Sequence, residues 1–361
     1  MRILHYILTM KGGGAERQLA FLASALGRRG HDVHVAFVQP GVNADRLTGS
    51  RCTLHRLVAF GKYDPLLPVR SVVLARRLRP DVVHTWLTHM DIVGGSTARL
   101  LRIPWLMSER SSALSYPSGL LNHLRVAVAR HADLIVPNSG GGADYWKAQG
   151  VDGSRIEIVP NFVAPPERES EPPLNDPRIE ESDELVLFVG RLSPEKNLRC
   201  LIDAMQHVVR VRPRAKLALC GEGPLLAELT DQASAADIAK HVIFAGYVQS
   251  VTPWLSRACV GVAVSRFEGH PNAALEAMAA GVPLVVSDIA SYRSLLDDNA
   301  ALFAQVDDVK GIASAITRTL EDRASALQRA QRARAALAVL SLDATAAHYE
   351  TIYERLARGR R

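Results

Sequence analysis

Short runs of Val, Leu, Ile and Ala alternate along the chain with stretches in which apolar positions recur every three or four residues. The first run, Arg2 to Leu8 (RILHYIL), reads as a strand. It passes through a glycine-containing turn into a predicted helix over Ala15 to Arg29, where Leu19, Leu22 and Leu26 share a face and Gly30 closes the end. Strands are predicted again at HDVHVAFV, DVVHTW, IPWLMS and ADLIVPNS, each followed by a polar or helical stretch. The rhythm restarts at Glu184: ELVLFVG, a helix over Leu198 to Val211, then AKLALCG, HVIFAG, ACVGVAVS and VPLVVSD. Strands that are apolar throughout, rather than alternating, belong to parallel sheets covered on both faces. The expected fold is therefore α/β, with two similar Rossmann-like, doubly wound parallel-sheet domains facing across a cleft. Residues 163–184, VAPPERESEPPLNDPRIEESDE, are rich in Pro and acids without apolar periodicity and read as the linker. The predicted boundaries are 1–164, 165–345 and a basic amphipathic tail helix, 346–361, expected to pack back on the first domain.

Composition narrows the classes. The 361 residues, 48% hydrophobic and 22% charged, suit an ordinary globular chain of two domains. The four cysteines are far apart and form neither a CxxC pair nor a Cys/His cluster, so a reducing, cytoplasmic setting is expected and a zinc site is not. The apolar opening is too short for a secretion signal and runs into glycines and charges, and no run approaches the roughly 20 residues of a membrane helix. Charge is uneven: residues 1–164 carry 20 Lys and Arg against 11 Asp and Glu, and residues 165–361 carry 23 against 26. A basic first half points to an anionic partner, and RSVVLARRLR (Arg70 to Arg79) and the stretch from Arg99 to Arg130 are expected to rest peripherally on an anionic membrane at its inner face. No nucleic-acid motif appears, aromatic content is 6%, and nucleic acid is not expected as a partner.

Ligands of open α/β sheets bind beyond the carboxyl ends of the strands, so chemistry is sought in the loops there. In Lys11-Gly12-Gly13-Gly14-Ala15-Glu16 the glycines admit close backbone approach, and the helix start behind them suits an anion. It is not the dinucleotide fingerprint, since Arg17 stands where the last glycine belongs. In Gly190-Arg191-Leu192-Ser193-Pro194-Glu195-Lys196-Asn197, Arg191 and Lys196 can address one diphosphate. The richest constellation is Phe267-Glu268-Gly269-His270-Pro271-Asn272-Ala273-Ala274-Leu275-Glu276. Here a strand enters a loop with Glu268, Pro271 suits the first turn of a helix, the amides of Asn272 and Ala273 suit a phosphate, and Glu276, two turns in among small apolar residues, suits a pair of ribose hydroxyls.

Gly190-Arg191 with Lys196-Asn197, the turn Gly221-Glu222-Gly223-Pro224 and the frame EGHPNAALEAMAAGVP resemble the retaining GT-B glycosyltransferases of family 4, and GGGAERQLAFLASALGRRGHDV is similar to that family's opening motif. The resemblance spans nearly the whole chain. It implies a nucleotide-sugar donor, with a UDP-sugar expected, and a hexose or N-acetylhexosamine passed with retention to a glycan or lipid-linked acceptor in cell-surface polysaccharide or lipopolysaccharide assembly. Arg191, Lys196 and Glu268 would be catalytic. Gly13, Gly14, Gly190, Gly221, Gly269, His270, Pro271, Asn272, Ala273 and Glu276 would bind the donor. The first domain would bind the acceptor and the second the donor. The sequence departs from the family at His270, where an aromatic residue is usual, and at Arg110, which stands where a histidine is usual. Sugar or acceptor contacts are accordingly shared among His84, His89, Glu109 and Arg110. No two aspartates are separated by one residue, so no metal and no cofactor are expected, and His84, His89 and Asp91 read as hydrogen-bonding or packing groups rather than metal ligands. The competing readings are a nucleotide-sugar epimerase and a non-catalytic basic module for membrane or nucleic acid.

Overall fold

A computed structural model of the chain describes residues 1–61, 64–110, 119–163 and 172–359. Part of the expected linker, part of the basic stretch between Arg99 and Arg130, and the last two arginines of the tail lie outside the described residues.

The chain forms two compact units, Met1–Ala164 with Leu340–Arg361, and Pro165–Val339. In the first, strands β1 (Arg2–Ile7), β2 (Asp32–Phe37), β3 (Cys52–Arg56), β4 (Val82–Trp86), β5 (Trp105–Glu109) and β6 (Leu134–Pro137) form one sheet of order β3-β2-β1-β4-β5-β6. Every pairing is parallel. The second unit repeats the plan with β7 (Glu184–Val189), β8 (Ala215–Cys220), β9 (Val242–Gly246), β10 (Val260–Ala263), β11 (Leu284–Ser287) and β12 (Leu302–Ala304), in the order β12-β11-β10-β7-β8-β9. Both sheets therefore reverse direction beside their first strand, between β1 and β4 and between β7 and β10. Such a switch point opens a crevice at the carboxyl ends of the two strands, because their outgoing connections leave toward opposite sides.

Side chains alternate across each strand. Ile3 and Ile7 of β1 face one side, packed with Leu19, Leu22 and Leu26 of the helix Gly14–Arg28, whereas Leu4 and Tyr6 face the other, with Leu74 and Leu78 of the helix Leu67–Leu78 and Met90 of the helix Thr88–Leu101. Each fully buried Leu or Ile stabilises the fold by about 1.5–3 kcal/mol.

The sequence pattern overlooks β3 and β12, and both are outer strands with half-exposed positions. The chain rejoins the first unit at Leu340 rather than at 346. Val163 N–H donates to Leu340 O, Ser341 caps the last helix, Leu342–Arg358, and Ala346, Tyr349, Ile352 and Tyr353 bury against β1, β4 and the helix Gly14–Arg28.

Candidate functional site

In the second unit the loops after β7 and β10 leave the switch point, and these loops carry the residues singled out above. The first is shaped by backbone contact. Gly190 sits at φ +153° and Gly221 at +148°, and a Cβ on Gly221 would lie 1.9 Å from Gly190 O. A Cβ on Gly223 would lie 2.2 Å from Leu192 O. Gly190 N–H donates to Cys220 O at 2.9 Å, Leu192 N–H to Glu222 O at 2.9 Å and Leu225 N–H to Leu192 O at 3.1 Å. The Gly221-Glu222-Gly223-Pro224 turn is thus a bare-backbone brace against which the Arg191 loop is laid, which explains its two glycines without a ligand.

Past Arg191, whose side chain is exposed, Pro194–Lys196 form one 3-10 turn, and buried Asn197 adopts the left-handed conformation at φ +58° that starts the helix Leu198–Val211. The turn aims Lys196 at the neighbouring loop. Its Nζ lies 2.5 Å from Glu268 Oε1, with the two side chains 20% and 15% exposed. Ser265 Oγ donates to the same oxygen at 2.8 Å, and Arg266 N–H donates to Glu195 O at 2.8 Å, so the two loops are tied by backbone as well as charge. Behind them Tyr292 is fully buried with its hydroxyl 3.5 Å from Ser265 Oγ, and burial, with Glu268 nearby, raises its pKa well above that of an ordinary phenol. Ser265 and Tyr292 were not anticipated from the sequence. The S-x-x-E spacing of Ser265 to Glu268 was the available signal for the first, and Tyr292 is brought in from after β11.

The helix Asn272–Ala279 begins directly after this loop. Pro271 precedes it as an extended N-cap that offers no side-chain cap, so its leading amides and positive dipole end form an anion-accepting surface. Gly269, Asn272 and Ala273 are half-buried and His270 is buried. Glu276 is half-buried on the helix.

In the first unit the loop after β1 is fitted to its own carboxylate. Gly13 is the extended N-cap of the helix Gly14–Arg28, and the position its Cβ would take is 2.1 Å from Glu16 Oε2. Glu16 is buried, its carboxyl pushed up by desolvation and partly lowered by its own backbone N–H. A glutamate three residues past the N-cap favours the helix dipole. The place over Gly13 expected to suit an external anion is therefore held by Glu16. Asn43 braces the other side: its side chain donates to Lys11 O and its N–H to Met10 O, while a Cβ on Gly41 would lie 2.8 Å from Lys11 Cα.

Two of the expected sugar or acceptor contacts are corrected by the structure. His84 on β4 is fully buried. Its Nδ1 lies 2.7 Å from the Tyr353 hydroxyl and its Nε2 2.7 Å from Ser108 Oγ, and its ring stacks on Trp86 at 4.6 Å. Burial, with His5 and Arg110 close, holds its pKa well below the usual value, so it is neutral and packed. Glu109 is also fully buried, 3.0 Å from Arg125 Nη1 and accepting from Trp146 Nε1 at 3.0 Å, while Asp91 accepts from Arg125 Nε at 2.8 Å. Both residues look cleft-lining in sequence, yet His84 lies in the middle of β4 and Glu109 at the end of β5, where tertiary partners bury them. Arg110 is half-buried with its guanidinium over Trp86 at 4.5 Å, donating to Asn161 Oδ1 at 2.9 Å and to the Tyr349 hydroxyl at 2.7 Å. It anchors the last helix. His89, half-buried in the first turn after β4, stays beside the switch point.

Among the described residues no three His, Cys, Asp or Glu side chains converge as a metal would need, and no helix is long and apolar enough to cross a membrane.

Residues 12–165 match the family model Glycosyltransferase Family 4, and residues 183–322 match Glycosyl transferases group 1. Glycogen synthase of Mycobacterium tuberculosis (strain CDC 1551 / Oshkosh) is 26% identical over 366 residues, covering 89% of this chain and 86% of the relative. The lipopolysaccharide core biosynthesis glycosyltransferase LpsE of Rhizobium meliloti (strain 1021) is 26% identical over 348 residues, covering 92% of each. Among solved structures, Anabaena Alr3699/HepE in complex with UDP-glucose superposes with a TM-score of 0.84 at 19% identity, covering 98% of this chain and all of that one.

Proposed function

The chain belongs to the glycosyltransferases of group 1 and family 4 with the GT-B fold and is a glycosyltransferase of polysaccharide, lipopolysaccharide or glycogen-type synthesis; from that premise we propose that it moves a hexose or N-acetylhexosamine from a UDP-sugar to a glycan or lipid-linked acceptor, with retention and without metal. The observation that carries the reading is the Lys196–Glu268 pair at 2.5 Å, set between two loops at a switch point and directly before the uncapped helix Asn272–Ala279.

In this reading the diphosphate lies on the amino end of that helix, with the backbone of Gly269 to Ala273 holding its oxygens. Arg191 and Lys196 offset its charge, and Glu276 accepts the ribose hydroxyls. Lys196 is already held by Glu268, so its charge is positioned before the leaving group departs and little reorganisation is needed during reaction. Glu268 lies against the transferred sugar. The bond from the anomeric carbon to the phosphate oxygen breaks, the acceptor oxygen bonds to that carbon on the same face, and the acceptor proton passes to a phosphate oxygen of the departing UDP. No protein nucleophile and no metal are required. The UDP-glucose bound by the Anabaena neighbour supports UDP as the nucleotide, and the role of the Rhizobium relative supports a lipopolysaccharide-type acceptor.

The test is thermal stabilisation by UDP, GDP, ADP or CMP with chelator present, on wild type and Glu276→Ala, followed by transfer assays that read the anomeric configuration of the product. Stabilisation by UDP that Glu276→Ala abolishes supports the site. Dependence on a divalent ion or inversion at the anomeric carbon would overturn the mechanism.

A further inference from the structure

Glu268 uses its two oxygens unequally. Oε1 accepts from Lys196 Nζ at 2.5 Å and from Ser265 Oγ at 2.8 Å, which fills both acceptor positions of that atom. No described residue donates to Oε2, which reaches solvent.

Lys196 alone would not hold the group this way. The last torsion of a glutamate is broad and two-fold, so a carboxylate tethered by one ammonium can turn and offer it either oxygen. A second donor on the same oxygen removes that equivalence. It fixes which oxygen is engaged, the plane of the carboxylate and the direction in which the other oxygen points.

Ser265 is itself placed from behind. It stands two residues past β10, 1% exposed, and its carbonyl accepts at 2.7 Å from the hydroxyl of Ser287, the last residue of β11. The Ser265 hydroxyl has one proton, and a carboxylate oxygen only accepts, so the contact with Glu268 commits that proton and leaves the Ser265 oxygen to accept in turn. The group on that side is the hydroxyl of Tyr292, 3.5 Å away on the short helix Ala290–Arg293. Burial, with Glu268 nearby, keeps Tyr292 a neutral phenol with a proton to give. The chain of hydroxyls therefore runs one way, from Tyr292 to Ser265 to Glu268, with the outer link the weaker of the two. Sealing Ser265, Ser287 and Tyr292 at the ends of two strands costs desolvation that apolar side chains would avoid, and orienting Glu268 accounts for that cost.

We propose, resting on the reading of Glu268 as the group against the transferred sugar, that Ser265, backed by Tyr292, is a positioning residue of the donor-sugar contact, holding Glu268 Oε1 on Lys196 so that Oε2 is the single oxygen presented to the sugar. In this role Ser265 acts through Glu268 and meets neither sugar nor nucleotide. An oxygen that only accepts selects a hydroxyl at the place it reaches, so the donor sugar carries a free hydroxyl there.

The test is calorimetric titration of the full chain with UDP, UDP-glucose, UDP-galactose, UDP-N-acetylglucosamine and UDP-N-acetylgalactosamine. The proteins are wild type, Ser265→Ala, Ser265→Thr, Tyr292→Phe, Glu268→Gln and Ser265→Ala/Glu268→Gln. The quantity read is the Kd of UDP divided by the Kd of the UDP-sugar that wild type binds best. Ser265→Ala should lower this ratio about tenfold, as loss of a hydrogen bond to a charged group does, and leave the Kd of UDP unchanged. Ser265→Thr keeps the hydroxyl and should restore most of the ratio, whereas Tyr292→Phe should lower it about threefold. With Glu268→Gln already present, Ser265→Ala should lower it little further, because the serine acts through the carboxylate. A ratio that Ser265→Ala leaves unchanged, equal losses of UDP and UDP-sugar affinity, or additive losses in the double variant would overturn the proposal. Any of these with UDP still bound by wild type leaves the nucleotide site standing, whereas a wild type that binds no UDP overturns the donor reading and this proposal with it.

Discussion

Lys196 and Glu268 meet at 2.5 Å although 72 residues separate them, because the loops that carry them leave adjacent parallel strands, β7 and β10. Neither group is spent on a distant scaffold, and a second donor, the hydroxyl of Ser265, steadies the carboxylate. Lys196→Ala should lower kcat by about 100-fold, as removal of a preorganised donor to a departing anion does elsewhere. Lys196→Ala/Glu268→Ala should fall well short of the product of the two single losses in a double-mutant cycle, because the groups act as a pair.

Gly221→Ala tests the brace under the Arg191 loop. With φ at +148° and Gly190 O where the new methyl would stand, the second unit should lose about 2 kcal/mol or more, read as a lower urea midpoint, and UDP stabilisation should weaken with it. Gly153→Ala, in open space at ordinary φ, should be close to neutral.

Asp91 and Glu109 share Arg125 in the interior of the first unit. Burial raises the Asp91 pKa from 3.8 to about 6, against the pull of Arg125. For an acid with a raised folded pKa, the folded state holds the proton more tightly than the unfolded chain. Its contribution is complete below the unfolded value and is lost as pH climbs from about 4 to about 6, on the order of 2–3 kcal/mol. Asp91→Asn should flatten the stability of the first unit across that window, measured by urea unfolding at stepped pH. Arg125→Met, which strands two buried carboxylates, should cost about 3–5 kcal/mol at pH 7.

Tyr353→Phe should leave buried His84 Nδ1 without its partner and cost about 1–3 kcal/mol in urea unfolding. The loss should appear without any change in UDP stabilisation, because the pair belongs to the seam between β4 and the last helix rather than to the donor loops.

The sequence by itself determined those features that short-range chemistry dictates. Ten of the strands are legible because buried parallel strands are dominated by apolar residues, as in LVLF of β7 and LIVP of β6. The loops at both switch points are legible because close backbone approach needs glycine and an anion needs a helix start or a cation. Strands β3 and β12 were illegible for other reasons: CTLHR mixes polar and apolar positions and LFA is only three residues long, and both carry half-exposed positions. Tertiary structure alone decided which polar residues of the strands are sealed in the interior. His84 is closed off by Tyr353, 269 residues away, and Glu109 by Arg125 and Trp146, so two residues that looked like site groups became part of the interior. Burial of a polar group depends on partners that the fold brings from any distance along the chain, whereas a strand or a glycine turn is set by its immediate neighbours, and that difference in range separates what could be read from what had to be seen.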